Sequence, residues 1–398
     1  MILQHRPPLH LTYCLNIHPG ESWAENFAAI QEKALAVKKS VAADQWFGLG
    51  LRLSQTAASQ LASTPDLIEE ARSFFADQQL YPFSVNAFPF GSFHGTTVKE
   101  SVYHPDWRTQ ERLQYTLQVA DVFSHFLPTE VDGSISTVPG SFKPWIQSDA
   151  DRSLIAKNLG TAVAYLAALR EDTGQEIHLG IEPEPDCLLE TTEETVEFYK
   201  KFCLADGCAE IVRILGCSES QAEEMLRRHL GVCFDTCHVA LQFENLADSY
   251  RTYVSEGIRI SKVQLSAALK GRCAPATLDA LRPFAEPTYL HQTKVQTETG
   301  AFISWYDLPH ALQEIPSFPT AKELRVHFHV PLFLNSAGAL ESTASELTPD
   351  FFNELRKGHC SHLEIETYTF GVLPADLATE SVAQSIAREY HWVLGRLE

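Results

Sequence analysis

The sequence predicts an α/β chain folded as a (β/α)8 barrel. Short β-like runs alternate with amphipathic helical stretches from one end to the other. Most of those runs lack strict polar alternation, as expected for parallel strands covered on both faces. No Gly-x-Gly-x-x-Gly follows any of them, which counts against an open dinucleotide-binding sheet, the main alternative.

The predicted strands occupy 11–17, 47–53, 82–88, 133–138, 177–182, 231–235, 258–265, 324–330 and 362–367. Between them stand helix start signals. Ser22 and Glu25 form a capping box ahead of a stretch that reaches about position 41. Asp106 precedes a helical run to about 126, and Asp149 one to 169. Thr191 with Glu194, and Ser218 with Gln221, are two further boxes. Gly257 and Gly358 stand where C-terminal caps are expected. Nine strands are one too many for the barrel, so 324–330 is assigned to a long insertion, about 268–330, before the last barrel strand. Positions 268–320 show little periodicity and hold Pro275, Pro283, Pro287, Pro309, Pro316 and Pro319, which reads as an elaborated loop. The chain, 1–398, reads as a single domain without repeats or low-complexity tracts.

Composition narrows the function classes. A formal charge of −20 disfavours a nucleic-acid partner, because such surfaces depend on clustered Lys and Arg. The nine cysteines include no Cys-x-x-Cys pair, and their odd number fits a reducing compartment. The opening Met1-Ile2-Leu3 run lacks the basic start and apolar core of a secretion signal, and no stretch is long and apolar enough for membrane insertion. The expectation is a soluble, cytoplasmic protein; a homo-oligomer is compatible with it.

In such a barrel the chemistry sits at the C-terminal mouth. The fifth strand ends in Glu182, with Pro183 forcing an extended exit. The sixth delivers Asp235 and His238, the seventh Gln264, and the last Glu364 and Glu366. Period two puts Glu364 and Glu366 on one face, opposite apolar Leu363 and Ile365. Glu366 lies nearer the mouth; Glu364 sits a layer deeper and needs a partner. His327 and His329 share one side of the surplus strand and either complete a metal shell or bind substrate. Glu182, Asp235, His238, Gln264, His329 and Glu366 form a mixed oxygen and nitrogen set suited to a divalent Mn, Zn, Co or Fe ion. The plain alternative is that Asp235 caps a helix, His238 packs, and the others are satisfied core polar groups. Buried carboxylates are expensive without a counter-charge, which favours the ion. Candidate contacts to a polyol or sugar-like small molecule are Asn16, His18, Asn86, His94, Lys99 and His327, with Phe90 and Phe93 as walls.

These residues resemble the xylose isomerase-like TIM-barrel superfamily of sugar isomerases, ketose 3-epimerases and endonuclease IV-like repair enzymes. Asp235-Thr236-Cys237-His238 looks like the endonuclease IV-type strand, Ile181-Glu182-Pro183 like the epimerase glutamate strand, and Glu366-Thr367 like the terminal Glu-Thr. The resemblance implies Glu182, Asp235 and Glu366 as metal ligands and His238 on metal or substrate. Gln264 departs from it, standing where His or Asp is usual. A closer likeness covers nearly the whole chain, through segments 11–20, 86–95, 105–107, 289–293 and 327–333 among others. These resemble the EboE-type metabolite-traffic proteins, which implies a barrel and a secondary-metabolite pathway but no substrate.

The leading expectation is therefore a metal-dependent isomerase or epimerase of a sugar, sugar phosphate or cyclitol, with Glu182 and Glu366 as the catalytic bases. A non-catalytic metabolite carrier of the same pathway is the alternative. An endonuclease IV-like phosphodiesterase ranks lower, given the chain's charge.

Overall fold

Eight parallel strands built from apolar runs form the frame: β1 (Leu9–Tyr13), β2 (Phe47–Arg52), β3 (Leu80–Asn86), β4 (Gly133–Thr137), β5 (Ile177–Ile181), β6 (Leu230–Asp235), β7 (Arg259–Leu265) and β8 (His362–Ile365). The computed structural model describes all residues except 4, 6, 96 and 375–379. Every described strand position except Arg259 is buried, which explains the missing polar alternation: one face meets helices and the other fills the barrel.

The sheet runs β1-β8-β7-β6-β5-β4-β3-β2, with the short strand Ile2–Leu3 paired antiparallel to β1. A single bridge from Cys14 to Gly50 nearly closes it, and the Thr12 hydroxyl adds a 2.8 Å bond to the Gly48 carbonyl across the same seam. The seam depends on glycine. A Cβ at Gly50 would lie 2.8 Å from the Tyr13 carbonyl oxygen and would overlap the Glu364 carboxylate.

The predicted caps at Ser22, Thr191 and Ser218 are present as capping boxes. Gly257 and Gly358 take the left-handed conformation, with φ of 66° and 75°. Asp106 does not start its helix. Thr109 caps Gln110–Ser124, while Asp106 binds Arg108 and the Ser141 hydroxyl.

The main difference from expectation lies between β7 and β8. Residues 269–342 hold a second, six-stranded antiparallel sheet rather than a loop with one surplus strand. Its order is Phe302–Trp305, Thr293–Thr297, Ala321–Val326, Leu269–Arg272, Leu340–Ser342, Ser336–Ala337. The expected strand 324–330 is thus the strand Ala321–Val326, after which the chain turns irregular through His327 and His329. Leu269, Val295, Leu324 and Phe328 join the same apolar core as the barrel. Charged clamps hold the inserted layer to the mouth: the Lys99 ammonium donates to Tyr289 O (2.6 Å) and Asp307 (2.8 Å), and Lys294 reaches Glu190 (2.7 Å). Among the described residues, no helix is long and apolar enough to cross a membrane.

Gly50→Ala is expected to destabilise the fold by about 1–3 kcal/mol, the usual cost of overpacking. Urea unfolding of the variant measures it; unchanged stability would show that the β1–β2 seam has slack.

Candidate metal centre

Glu182, Asp235 and Glu366 stand at the ends of β5, β6 and β8, and a carboxylate oxygen from each lies within 4.8 Å of the others. All three are buried. Asp235 is the best anchored. It caps the helix Thr236–Leu241, its Oδ1 accepting from the backbone N–H groups of Cys237 (2.7 Å) and His238 (3.1 Å) and from the Ser266 hydroxyl (2.6 Å). Glu366 Oε1 accepts from the amides of Asn16 (2.8 Å) and Asn86 (3.4 Å). Among the described residues, Glu182 Oε2, Asp235 Oδ2, Asn16 Oδ1 and Gln264 Nε2 are buried with no hydrogen-bond partner. Three of these are acceptors, the Gln264 nitrogen is a donor, and orphaned buried carboxylate oxygens need an explanation.

The electrostatics show the same strain. Burial, together with the neighbouring carboxylates, holds Glu182 and Glu366 well above the ordinary carboxylate range. Asp235 is held low; burial opposes this, but the facing His238 and His329 and the Ser266 hydroxyl outweigh it. One layer deeper, the same problem is solved with protein atoms. The Glu364 carboxylate receives the Lys262 ammonium at 2.8 Å, both fully buried. That is the partner Glu364 was expected to need.

Beside the carboxylates lie three imidazoles. His238 Nδ1 bonds the Pro183 carbonyl (2.9 Å), His329 Nδ1 the Glu366 carbonyl (3.0 Å), and His327 Nδ1 the Gln292 side-chain oxygen (2.7 Å). Burial pushes His329 down to about 4 and His327 well below its ordinary value.

Asn16, Asn86, Lys99 and His327 line the pocket, together with Glu182, His238 and Glu366. Lys99, however, spends its ammonium on Asp307 and two carbonyls, so it fastens the inserted layer. His94 uses both ring nitrogens on protein groups, the Asn16 carbonyl (2.6 Å) and the Tyr289 hydroxyl (2.8 Å), and braces the pocket from behind. His18 turns away with the 3-10 turn Leu15–Ile17 and bonds the Tyr13 hydroxyl at 3.0 Å. Gln264 is in register with Asp235, but its Oε1 meets the Cys233 thiol; the group beyond β7 that touches Asp235 is Ser266. Phe93 lines the pocket; Phe90 lies in a neighbouring groove.

Glu184 was missed. It lines the same pocket, accepts from the Tyr103 hydroxyl at 2.8 Å, and is raised by burial to about 7. Its spacing of two from Glu182 was the available signal. A separate group at the barrel floor, Asp132 with His178 and His362, already contains the Arg259 guanidinium 2.5 Å from Asp132 and needs no ion.

No protein-family model matches this sequence, and no curated protein matches it. Among solved structures, the chain is similar to a xylose isomerase-like TIM-barrel protein from Mycobacterium smegmatis in complex with magnesium. The TM-score is 0.52 at 13% identity, covering 98% of this chain and 96% of that one. The fold is a TIM barrel. The probable 3-DHS dehydratase AsbF from Bacillus anthracis aligns with a TM-score of 0.48 at 13% identity, over 97% of this chain and 99% of that one. The IolI protein with a bound zinc atom aligns with a TM-score of 0.48 at 12% identity, over 98% of each chain.

Lys262→Met is expected to cost about 3–5 kcal/mol by stranding Glu364 as an unpaired buried charge. Lys262→Met with Glu364→Met removes both charges and should cost far less. Equal losses in urea unfolding of the two variants would show that the pair's charge is not what matters there.

Proposed function

We propose that this protein is a divalent-metal-dependent isomerase or epimerase acting on a sugar, sugar phosphate or cyclitol. The observation that carries the reading is the meeting of Glu182, Asp235 and Glu366 from three strand tips, with acceptor oxygens left unpartnered between them. These three would hold the ion, whereas Gln264 has its one acceptor oxygen on the Cys233 thiol; a carboxylate set suits Mn, Co, Zn or Fe. When bound, such an ion polarises neighbouring carbonyl and hydroxyl oxygens and acidifies the C–H between them.

The chain's own groups complete the chemistry. Glu182 and Glu366 reach the pocket from β5 and β8 and are the candidates to remove and return the proton. Asn16 and Asn86 fix the Glu366 carboxylate by donating to one oxygen, which leaves the other for a ligand or a proton. Tyr103, Tyr289 and Tyr368 wall the pocket and limit the water that would compete for an exchanged proton. The sequence likeness to EboE-type proteins supports a secondary-metabolite pathway as the setting, with a small polyol or sugar-like molecule as partner.

Incubating the metal-loaded protein with candidate ketoses and cyclitols in D2O is expected to place deuterium on carbon. Glu366→Gln should lower that exchange by about 10²-fold or more, as loss of a general base does. Ligand binding without exchange across the panel would instead identify a carrier.

Acidification should release the ion. Glu182 and Glu366 are raised in the metal-free fold, so protons compete with the cation as pH falls. The gain in Tm on metal loading should therefore shrink from pH 8 to pH 5. A gain independent of pH would exclude these carboxylates as ligands.

A further inference from the structure

The three imidazoles beside the carboxylates are arranged as ligands in their own right. Pro183 and Glu366 offer backbone carbonyls, which only accept, so the Nδ1 atoms of His238 and His329 carry the protons. The same holds for His327. Gln292 turns its amide nitrogen to the Pro185 carbonyl (3.2 Å) and the Tyr103 hydroxyl (3.0 Å), which leaves its oxygen facing His327 Nδ1. All three Nε2 atoms are therefore bare lone pairs. They nevertheless converge: His327 Nε2 lies 3.2 Å from His238 Nε2 and 3.3 Å from His329 Nε2. Between neutral rings, lone pairs at that distance repel.

A tetrahedral ion with metal–nitrogen bonds of about 2.0–2.1 Å sets its ligand nitrogens about 3.3–3.4 Å apart. The two Nε2 separations at His327, 3.2 Å to His238 and 3.3 Å to His329, match that edge. An oxygen acceptor on Nδ1 is also the usual means of fixing a metal-binding histidine. Asp235 connects this group to the carboxylates, since one of its oxygens lies within 4.8 Å of a ring nitrogen of both His238 and His329. Charge points the same way. Glu182, Glu184, Asp235 and Glu366 are all buried at this mouth, whereas the nearby buried cation Lys262 is bound to Glu364. A single divalent ion offsets only two of the three charges that Glu182, Asp235 and Glu366 carry when they bind it.

The geometry points to a second cation site, formed by His238, His327 and His329 and sharing Asp235 with the carboxylate site, which takes a zinc-class divalent ion. It rests on the proposed carboxylate site only through that shared residue. Three imidazoles select a borderline cation over magnesium or calcium. Two of them come from the inserted segment, so the barrel and the insertion build this site together.

Elemental analysis of the full chain, stripped with chelator and dialysed against zinc, is expected to return two ions per chain. His327→Ala and His329→Asn should each lower this to one, and Glu182→Gln should remove the other. Loading the wild type with Co2+ should give the strong visible bands of a four-coordinate centre, and His327→Ala should lose them. One ion that survives His327→Ala but not Glu182→Gln would overturn the second site and leave the carboxylate site standing. One ion with the reverse pattern would keep the imidazole site and remove the carboxylate site. Two ions in His327→Ala, or a wild-type Co2+ spectrum without the four-coordinate bands, would also overturn the proposal.

Discussion

Negative charge buried at the barrel mouth is the constraint around which this structure is organised. Glu182, Glu184, Asp235 and Glu366 all lie within the protein, and each pays a desolvation cost that a neutral residue would avoid. The layer below shows how the fold treats a carboxylate that has only a structural task. Glu364 faces Lys262, and Gly50 leaves room for its second oxygen. Among the described residues, no such ammonium pairs with the mouth carboxylates. Two residues apart on one strand, Glu364 and Glu366 share a face and differ in what meets them, and that difference separates structure from chemistry.

The inserted layer changes what the mouth can be. Barrel loops alone would leave the strand tips open to water. Here Lys99 and Lys294 fasten the insertion to loops on the barrel side, and Arg325 donates to the Ala240 carbonyl just beyond β6. The fastening brings Tyr289 and His327 onto the pocket wall. A low-dielectric wall strengthens every charge interaction inside it, so the cover raises both the cost of the bare carboxylates and the gain from neutralising them.

Much of this was legible in the sequence, and the boundary of what was not has a physical cause. Strand parity and the positional rule for barrel mouths suffice to bring Glu182, Asp235, His238 and Glu366 together, because each lies within a few residues of its own strand. His18, His94 and Lys99 were assigned to substrate, but their polar atoms are taken up by Tyr13, Tyr289 and Asp307. Two of those partners lie about two hundred positions away, where local pattern carries no information. The second sheet was hidden for a related reason. Its strands are short, and one edge, Phe302–Trp305, is mostly exposed, so neither a period of two nor an apolar run stands out. Glu184 was in plain view after Pro183, but its role depends on Tyr103 and Gln292, neither of them near it in sequence.

Asp235 shows that the ordinary and the chemical reading of a residue need not compete. It does cap a helix, as a lone Asp before a helical turn would, and that task occupies Oδ1 completely. Because Oδ1 is held by two backbone N–H groups and a hydroxyl, the carboxylate cannot rotate, and Oδ2 is left fixed and unpartnered. The orienting groups come from the strand-to-helix turn itself, so the side chain is positioned before anything binds. A ligand oxygen that is already in place spares a cation the reorganisation that a free carboxylate would require. The cap is therefore the means by which β6 presents Asp235 to both the carboxylates on one side and the imidazoles on the other.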